Sequence, residues 1–190
     1  MLKQLKPALI IFLSMTVLTG IIYPLAITGI AQVIFPHQAN GSLITQNGQV
    51  VGSSLIGQQF DNPKFFWGRL SATGDHPYNA SASGGTNLAP TNSALLDAVQ
   101  ARLKALHDAD PTNTQPVPVD LVTASGSGLD PDISIAAAQY QAPRVARARG
   151  ISLDRVMALL SQHTQGRTLG FLGEPRVNVL ELNLALDELK

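Results

Sequence analysis

The chain has 190 residues, 45% of them hydrophobic, and its 13 lysine and arginine residues balance its 13 aspartate and glutamate residues. With no net charge, the protein has no overall electrostatic attraction for nucleic acid or for a strongly acidic partner. The sequence contains no cysteine, which excludes disulfide bridges, thiolate metal sites and thiol catalysis.

A long apolar segment occupies residues 9–35. It reads LIIFLSMTVLTGIIYPLAITGIAQVIF, carries no charge, and contains fifteen Leu, Ile, Val or Phe residues. As a helix it would be about 40 Å long, and tilt or a bend at Pro24 would fit it to a hydrocarbon core of roughly 30 Å. A cleaved signal peptide has a shorter apolar region and a small-x-small cleavage site, which TGIAQ at 28–32 does not match. The segment therefore predicts an uncleaved transmembrane helix.

The charges that flank this helix predict its orientation. Lys3 and Lys6 precede it, and the next lysine or arginine is Lys64. By the positive-inside rule, residues 1–8 are cytoplasmic and residues 36–190 lie outside the cytoplasm. We expect the outer part to form one mixed α+β periplasmic domain, so the fold class is α+β with a single N-terminal transmembrane helix.

Small side chains recur at every fourth position of the predicted helix. These residues are Thr16, Gly20, Pro24 and Thr28. Small residues at this spacing let two helices approach closely in lipid, so they predict a partner-facing ridge. The alternative is that glycine and threonine are simply common in membrane helices.

Beyond the helix, the sequence predicts a β-hairpin and a structured loop. Asn47-Gly48 is a strong signal for a two-residue turn between strands at 42–46 and 49–53, and Leu55 with Ile56 predicts a further short strand. An aromatic cluster of Phe60, Phe65, Phe66 and Trp67 follows. The polar, glycine-rich residues 71–93 then favour an ordered functional loop over disorder.

Four helices and two short strands are predicted in the second half. Ser93 is placed to cap a helix with apolar positions at Leu95, Leu96, Val99, Leu103 and Leu106. Residues 110–118 should be a surface connection, and 121–124 a short strand. The next helix should be capped by Asp132 or Ser134.

Turn and cap residues predict the ends of the remaining elements. Pro143 should kink or divide the second helix, and Gly150 should end it. Ser152 should cap a third helix at 153–163 that ends by Gly166. An extended segment at 176–179 then leads into a last helix with a capping box formed by Asn178 and Glu181 and an apolar face of Leu182, Leu186 and Leu189.

No catalytic or metal-binding pattern emerges from the residues. The histidines, at His37, His76, His107 and His163, lack ligand spacing. Walker A, GxSxG and SxxK motifs are absent, and Asp130 and Asp132 are interpreted as turn and cap residues. Two glycine-serine segments, 80–87 and 124–130, could form anion nests or ordinary turns; the turn is favoured.

Several motifs occur in an order that resembles a known family. They are QANGSL from Gln38, GSSLIGQ from Gly52, GRLSAT from Gly68, PYNASASGGTNL from Pro77, VTASGSGLD from Val122, RVARARG from Arg144 and VNVLELNLALD from Val177. With YPL at 23–25, they resemble the C subunit family of the Kdp potassium-transporting ATPase over nearly the whole chain. The departures are Leu70, where proline is expected, and Thr86, where serine is expected.

This resemblance implies an accessory, non-enzymatic subunit of a bacterial inner-membrane complex that imports potassium at the expense of ATP. Its partners would be a channel-like potassium-binding subunit, the ATP-hydrolysing P-type subunit and a small single-helix subunit. The family is assigned an assembly and catalytic-chaperone role that raises the ATP affinity of the hydrolysing subunit. ATP and K+ would therefore act at the level of the complex.

The resemblance also indicates candidate site residues. Ser125, Gly126, Ser127 and Gly128 resemble the signature sequence of ABC transporters and would contact nucleotide. The predicted topology conflicts with this contact, because ATP is cytoplasmic, and favours a structural role for these four residues. Apart from the resemblance, the expected structured loop offers residues for contact with a partner: Gly68, Arg69, Ser83, Gly84, Gly85, Thr86 and Asn87. A signal-anchored periplasmic hydrolase using Ser127 and a periplasmic solute-binding domain are the alternative functions.

Overall fold

A computed structural model describes residues 2–189. The chain divides into two compact units, Met1–Val51 and Gly52–Lys190. The terminal residues Met1 and Lys190 of the predicted domains lie outside the described residues.

The first unit begins with an almost unbroken helical segment. Helix α1 spans Leu2–Val17, a π-helical turn spans Leu18–Ile22, and helix α2 spans Tyr23–Ile34. Over Lys3–Ile34 this segment is long and apolar enough to cross a membrane, and it is the one such helix among residues 2–189. A helix is therefore present where one was predicted at 9–35, although it begins earlier in the chain and ends at Ile34; that it spans a membrane stays a prediction.

The π-helical turn lies directly before Pro24. Proline has no N–H to donate, and its ring collides with the carbonyl four residues back, which here belongs to Gly20. The Tyr23 N–H bonds the Leu18 carbonyl five residues back instead, which widens the turn. The irregularity predicted at Pro24 therefore takes the form of a π turn within a continuing helix.

A short helix and a hairpin complete this part of the chain. Helix α3 spans Pro36–Ala39, and strands β1 (Leu43–Gln46) and β2 (Gln49–Ser53) form a two-stranded sheet. Asn47 and Gly48 have φ angles of 53° and 79°, as a type I′ turn requires. The predicted hairpin is confirmed.

The predicted strand at Leu55 and Ile56 is wrong. The Leu55 N–H bonds the Ser53 hydroxyl at 3.1 Å, and a single bridge joins Ser53 to Ile56. This local side-chain bond closes a tight turn, which competes with extension of the strand.

The predicted strand at 121–124 is also wrong. Val119–Leu121 forms a 3-10 turn, and both the N–H and the hydroxyl of Thr123 bond the Val119 carbonyl. Within 121–124, only Ala124 makes a bridge, parallel to Leu70. The hydroxyl of Thr123 stabilises this turn by bonding nearby backbone. Val122 and Thr123 are β-branched residues, which favour the strand that was predicted.

Among its described residues, the second unit contains four α-helices, as predicted. They are α4 (Ser93–Ala109), α5 (Ile135–Arg149), α6 (Leu153–Gln162) and α7 (Val179–Glu188). Side chains cap all four N-termini: Asn92, Ser134, Ser152 and Asn178 accept backbone N–H bonds there. The caps at Ser134, Ser152 and Asn178 were predicted, but Asn92 and not Ser93 caps α4.

The ends of α5 and α6 lie within one residue of those predicted, but Pro143 does not divide α5. Helix α5 runs undivided through Pro143 and ends, as expected, at Gly150, whose φ is 67°. Helix α6 ends at Gln162, before Gly166, because the chain then enters a strand. Asp132, the other cap expected for α5, lies in a strand.

A small antiparallel sheet packs with these helices. Strands β3 (Asp132–Ser134), β4 (Thr164–Gln165) and β5 (Arg176–Asn178) lie in the order β3-β5-β4. Val177 of the central strand pairs with Ile133 on one side and with Thr164 on the other. The extended segment predicted at 176–179 is thus the middle strand of an α+β unit.

The hydrophobic core lies between the sheet and helices α5, α6 and α7. Its fully buried side chains include Phe66, Leu121, Ile133, Val145, Val156, Leu160, Val177, Leu182 and Leu186. Of the predicted apolar face of α4, Leu106 is buried, but Leu96 and Leu103 are exposed. Helix α4 therefore lies at the edge of this core.

Two buried amides hold the segment that carries the aromatic cluster. The Phe66 N–H donates to Asn183 Oδ1 at 2.8 Å, and Asn183 Nδ2 donates to the Phe66 carbonyl at 2.9 Å. Likewise, the Trp67 N–H donates to Gln141 Oε1 at 2.8 Å, and Gln141 Nε2 donates to the Trp67 carbonyl at 3.1 Å. Side chains of α7 and α5 thus supply the bonds that a neighbouring strand would otherwise make.

A buried arginine fixes the same segment. Arg144 donates to the carbonyls of Pro63 and Phe65 and to Gln141 Oε1, at 2.6, 3.1 and 2.7 Å. Its guanidinium lies over the Trp67 ring, 4.6 Å from the centroid. Burial lowers the Arg144 pKa to about 10, so the cation persists at neutral pH.

Replacement of Asn183 tests this arrangement. Asn183→Leu keeps the side-chain size but leaves the N–H and C=O of Phe66 buried without partners, which should cost about 2–4 kcal/mol. Urea unfolding of the full-length chain in mild detergent can be followed through Trp67, the single tryptophan. The exposed control Gln100→Leu should change stability by less than about 0.5 kcal/mol. Equal stabilities of the two variants would contradict the role assigned to Asn183.

Candidate functional site

The two glycine-serine segments, 80–87 and 124–130, meet in the folded chain. Residues 68–79 lead into the first segment and also contact the second, so the contact of 68–87 with 124–130 is called the loop junction. The Ser127 carbonyl accepts from the Gly84 N–H at 2.9 Å and from the Ser83 hydroxyl at 3.0 Å. Residues predicted separately from two parts of the sequence therefore lie side by side.

Glycines occupy the points of closest approach in the junction. A Cβ on Gly85 would lie 3.0 Å from the Gly126 carbonyl oxygen. Gly128 has a φ of 69°, and a Cβ there would lie 2.8 Å from the Gly84 oxygen and 2.6 Å from Thr73 Cγ2. Space and backbone conformation both require glycine at position 128.

The two serines of the second segment bond its own backbone. Ser125 Oγ accepts from the Gly128 N–H at 2.8 Å, and Ser127 Oγ accepts from the Leu129 N–H at 3.1 Å. Ser125 is buried, whereas Ser127 is exposed. Both hydroxyls close local turns, so they already serve as acceptors within the loop.

Hydroxyl groups also bind the first segment to the second. The Ser71 hydroxyl donates to the Gly128 carbonyl at 2.7 Å and accepts from the Tyr78 N–H at 2.8 Å. The Tyr78 phenol donates to the Arg69 carbonyl at 2.6 Å. Burial raises the pKa of Tyr78 to about 12, partly opposed by the Arg102 charge, so this phenol remains a donor at neutral pH.

Two arginines support the junction from within. Arg69 pairs with Asp130 at 2.9 Å and donates to the Ala124 carbonyl at 3.2 Å. Arg102 of α4 donates to the carbonyls of Gly68 and Leu121, at 2.9 and 3.0 Å, and burial lowers its pKa. Arg69 thus balances the charge of Asp130, and both arginines satisfy backbone carbonyls at the junction.

Two cavities border Arg69; one is small, and the other is lined by more carboxylates than arginines. A cavity of about 110 Å³ is lined by Arg69, Tyr78, Arg102 and Asp61, well below the roughly 300–1,000 Å³ of most small-molecule sites. An open depression of about 330 Å³ is lined by four carboxylates, Asp120, Asp130, Asp132 and Glu174, and by two arginines, Arg69 and Arg176. The arginines form ion pairs with Asp130 and Asp132, each at 2.9 Å. The excess of carboxylates leaves a net negative charge, which disfavours a polyphosphate there.

The remaining predicted site residues lie elsewhere or at the surface. Thr86 and Asn87 are exposed at the end of the first segment. The four ridge residues, Thr16, Gly20, Pro24 and Thr28, are exposed along the helix of the first unit, where the Thr16 hydroxyl bonds the Phe12 carbonyl at 2.8 Å. Within residues 2–189, no group of three or more His, Asp or Glu residues could hold a metal ion.

Asp130, Arg102 and Ser71 were not predicted as junction residues, although the position of Arg102 in the sequence gave a detectable signal. Asp130 was interpreted as a turn residue, and its Oδ1 does accept from the Asp132 N–H at 3.0 Å, but it also forms the ion pair with Arg69. Arg102 lies among the apolar positions of α4, where a charge needs a buried partner. Ser71 gave no comparable signal.

Comparison with known proteins identifies relatives over the full chain. The family described as K+-transporting ATPase, c chain, matches residues 5–188. The chain is 65% identical over 185 residues to the potassium-transporting ATPase KdpC subunit of Herpetosiphon aurantiacus, covering 97% of the chain and 96% of the relative. It is 63% identical over 188 residues to that of Janthinobacterium sp., covering 99% and 100% of the two chains. It is 61% identical over 190 residues to that of Methylococcus capsulatus, covering 100% of both.

Proposed function

The chain belongs to the KdpC family, the c chains of K+-transporting ATPases, and we propose that it is a non-catalytic accessory subunit of an ATP-driven potassium importer. The observation that carries this proposal is the continuity of the family match across both the apolar helix and the α+β unit. In this role the chain assembles and stabilises the complex. Its partners are a channel-like potassium-binding subunit, an ATP-hydrolysing P-type subunit and a small single-helix subunit, so ATP and K+ act at the level of the complex.

The helix supports an assembly role. Its side chains are exposed in the single chain, and a Cβ added at Gly20 would meet no atom within 4 Å beyond its own helix, so a partner backbone can approach there. Gly20 lies in the π turn, which winds less per residue than an α turn. Positions spaced four apart, such as Thr16 and Gly20, are therefore drawn toward one face. We assign this face to a partner helix in the bilayer.

Enlarging the ridge tests the assembly role. Gly20→Leu should weaken association with partner helices by about 1–2 kcal/mol, because the side chain prevents close packing. Insertion should persist, since leucine is more apolar than glycine. The measurement is co-purification of the complex from membranes in mild detergent.

The matched control is Ala26→Leu, which enlarges a small side chain in the same way. Ala26 is two positions from Pro24 and therefore lies on the opposite side of the helix from the ridge. Equal recovery of the complex with both variants would remove the ridge from the interface. Failure of the wild-type chain to co-purify with any transport subunit would refute the accessory role itself.

The proposed topology is an N-terminus in the cytoplasm and residues 36–190 in the periplasm of a bacterium with an inner membrane. Lys3 and Lys6 precede the helix, whereas residues 36–60 carry no Lys, Arg, Asp or Glu. This asymmetry supports the orientation by the positive-inside rule.

Cysteine labelling tests the topology against a background without cysteine. Gln38→Cys, at an exposed position beyond the helix, should react with an impermeant maleimide in intact spheroplasts. Gln4→Cys should react only after the membrane is permeabilised. The reverse pattern would place the α+β unit in the cytoplasm and overturn the proposed orientation.

Within the complex, we assign the chain a catalytic-chaperone role that raises the ATP affinity of the hydrolysing subunit. Three features support an indirect effect without nucleotide at residues 125–128. The serine hydroxyls bond their own loop, Gly128 lies against the opposite loop, and carboxylates line the neighbouring depression. The proposed periplasmic location also separates this segment from cytoplasmic ATP.

Three variants of this segment distinguish support of the fold from nucleotide contact. Gly128→Val should destabilise the chain by about 1–3 kcal/mol or more, because valine strains the positive φ and meets the opposite backbone. Ser127→Ala and Ser125→Ala should leave the ATP affinity of the assembled complex unchanged. A nucleotide cradle predicts a loss of roughly 1.5–3 kcal/mol for each hydroxyl removed, or about tenfold or more in affinity.

The readouts are the ATP affinity of the complex and thermal unfolding of the full-length chain in detergent. A tenfold loss of affinity in Ser127→Ala with an unchanged melting temperature would defeat the proposal of an indirect effect. That result would also require the segment to reach the cytoplasm.

A further inference from the structure

A short hairpin between β4 and β5 exposes three large apolar side chains. The N–H groups of Thr168 and Leu172 each donate to the carbonyl of the other residue, both at 2.9 Å. Leu169 is 79% exposed, Phe171 69% and Leu172 49%. These three side chains are called the apolar tip. Their joint exposure on one small loop is unusual, because isolated exposed apolar residues are normal but clustered ones mark contact sites.

The backbone of the tip is ordered and its conformation is costly. The Gly170 N–H bonds the Arg167 carbonyl at 3.0 Å, and the Phe171 N–H bonds the Thr168 carbonyl at 3.3 Å. Leu169 has a φ of 55°, a region that glycine, asparagine and aspartate occupy more easily. An exposed leucine in this conformation is disfavoured twice, by backbone strain and by hydration. Contact of its side chain with an apolar surface removes the second cost.

The charges at the base of the hairpin argue against an anionic bilayer as the occupant. Arg167 Nη2 donates to both carboxylate oxygens of Glu174, at 2.9 and 2.8 Å. These are the only two charged residues in 164–175, so the loop has no net charge. Loops and helices that bind anionic lipid carry an excess of lysine and arginine, which is absent here. The tip therefore fits a neutral, apolar protein surface.

The size of the tip argues against a freely diffusing second copy. Three such side chains offer on the order of 400 Å² of contact surface. A stable interface needs about 800 Å² from each partner. A contact this small is effective only where another attachment already holds the two proteins together, because a tether raises the effective concentration. The exposed membrane helix provides such an attachment.

We propose that the apolar tip inserts into an apolar pocket on another subunit of the same potassium-transport complex, as a second docking point besides the helix. This inference rests on the proposed function, since it requires the chain to be a subunit of a complex. The occupied pocket covers Leu169 and Phe171, while the Arg167–Glu174 ion pair remains at the rim.

Photo-crosslinking of the whole complex tests the tip. p-Benzoylphenylalanine replaces Phe171, the complex is purified from membranes in mild detergent and irradiated, and mass spectrometry identifies the attached molecule. We expect attachment to an apolar segment of another subunit of the complex. The matched control carries the same probe at Val119, which is 70% exposed but isolated, and should give about a tenth of the yield or less.

Leu169→Asn separates docking from folding. Asparagine tolerates a positive φ, so thermal unfolding of the chain should be unchanged or shifted upward. The crosslink from position 171 should nevertheless fall about tenfold, because the apolar anchor is lost. A fall in both stability and crosslinking would assign Leu169 to the fold and overturn its docking role.

Three other crosslinking results would overturn the proposal that the tip docks on another subunit. Attachment of the probe only to lipid acyl chains would assign the tip to the bilayer, and attachment to a second copy of the chain would assign it to self-association; either result overturns the proposal. An intact complex with no crosslink above the Val119 control overturns it as well. Loss of co-purification by the wild-type chain, in contrast, would refute the accessory function on which the tip depends.

Discussion

The α+β unit depends on side-chain amides that take the place of a β-strand partner. Gln141 and Asn183 each bond both the N–H and the C=O of one residue in the Phe66-Trp67 pair, at 2.8 to 3.1 Å. The segment lies in no strand, so these groups would otherwise be buried without partners at a cost of about 1–3 kcal/mol each. Because the two amides come from α5 and α7, they also fix the spacing of those helices. Arg144 completes the arrangement by binding the carbonyls just before the pair.

The loop junction follows from this anchored segment. Gly68 comes directly after Trp67, and its carbonyl accepts from Arg102 of α4. The loop that starts there is therefore placed where it can meet the second glycine-serine segment, and Gly128 lets the two backbones approach. Hydroxyl groups in both segments bond backbone within the junction. The two surfaces that we propose for partners, the exposed N-terminal helix and the apolar tip, lie outside it.

Sequence reasoning predicted most of the elements but only part of the site. It located the glycine-serine segments 80–87 and 124–130, yet not that they touch, because a contact between segments so far apart in the chain leaves no local pattern. Its errors share a physical cause: at Leu55 and Thr123, side-chain bonds to nearby backbone stabilised turns where the apolar residues favoured strands. The cap at Asn92 was missed by one residue because Ser93 is an equally good capping type.

The sequence by itself determined those features that local chemistry decides. An uncharged apolar run makes a helix of membrane-spanning length, Asn47-Gly48 makes a type I′ turn, and Ser152 bonds an unpaired amide at the start of its own helix. Tertiary structure alone decided which polar residues are buried and what they hold. Gln141 and Asn183 are ordinary helix residues in the sequence, and their role appears only when packing of α5 and α7 places them beside an unpaired backbone. The reason is that burial and hydrogen-bond partners depend on distance in space, whereas propensity depends on neighbours in the chain.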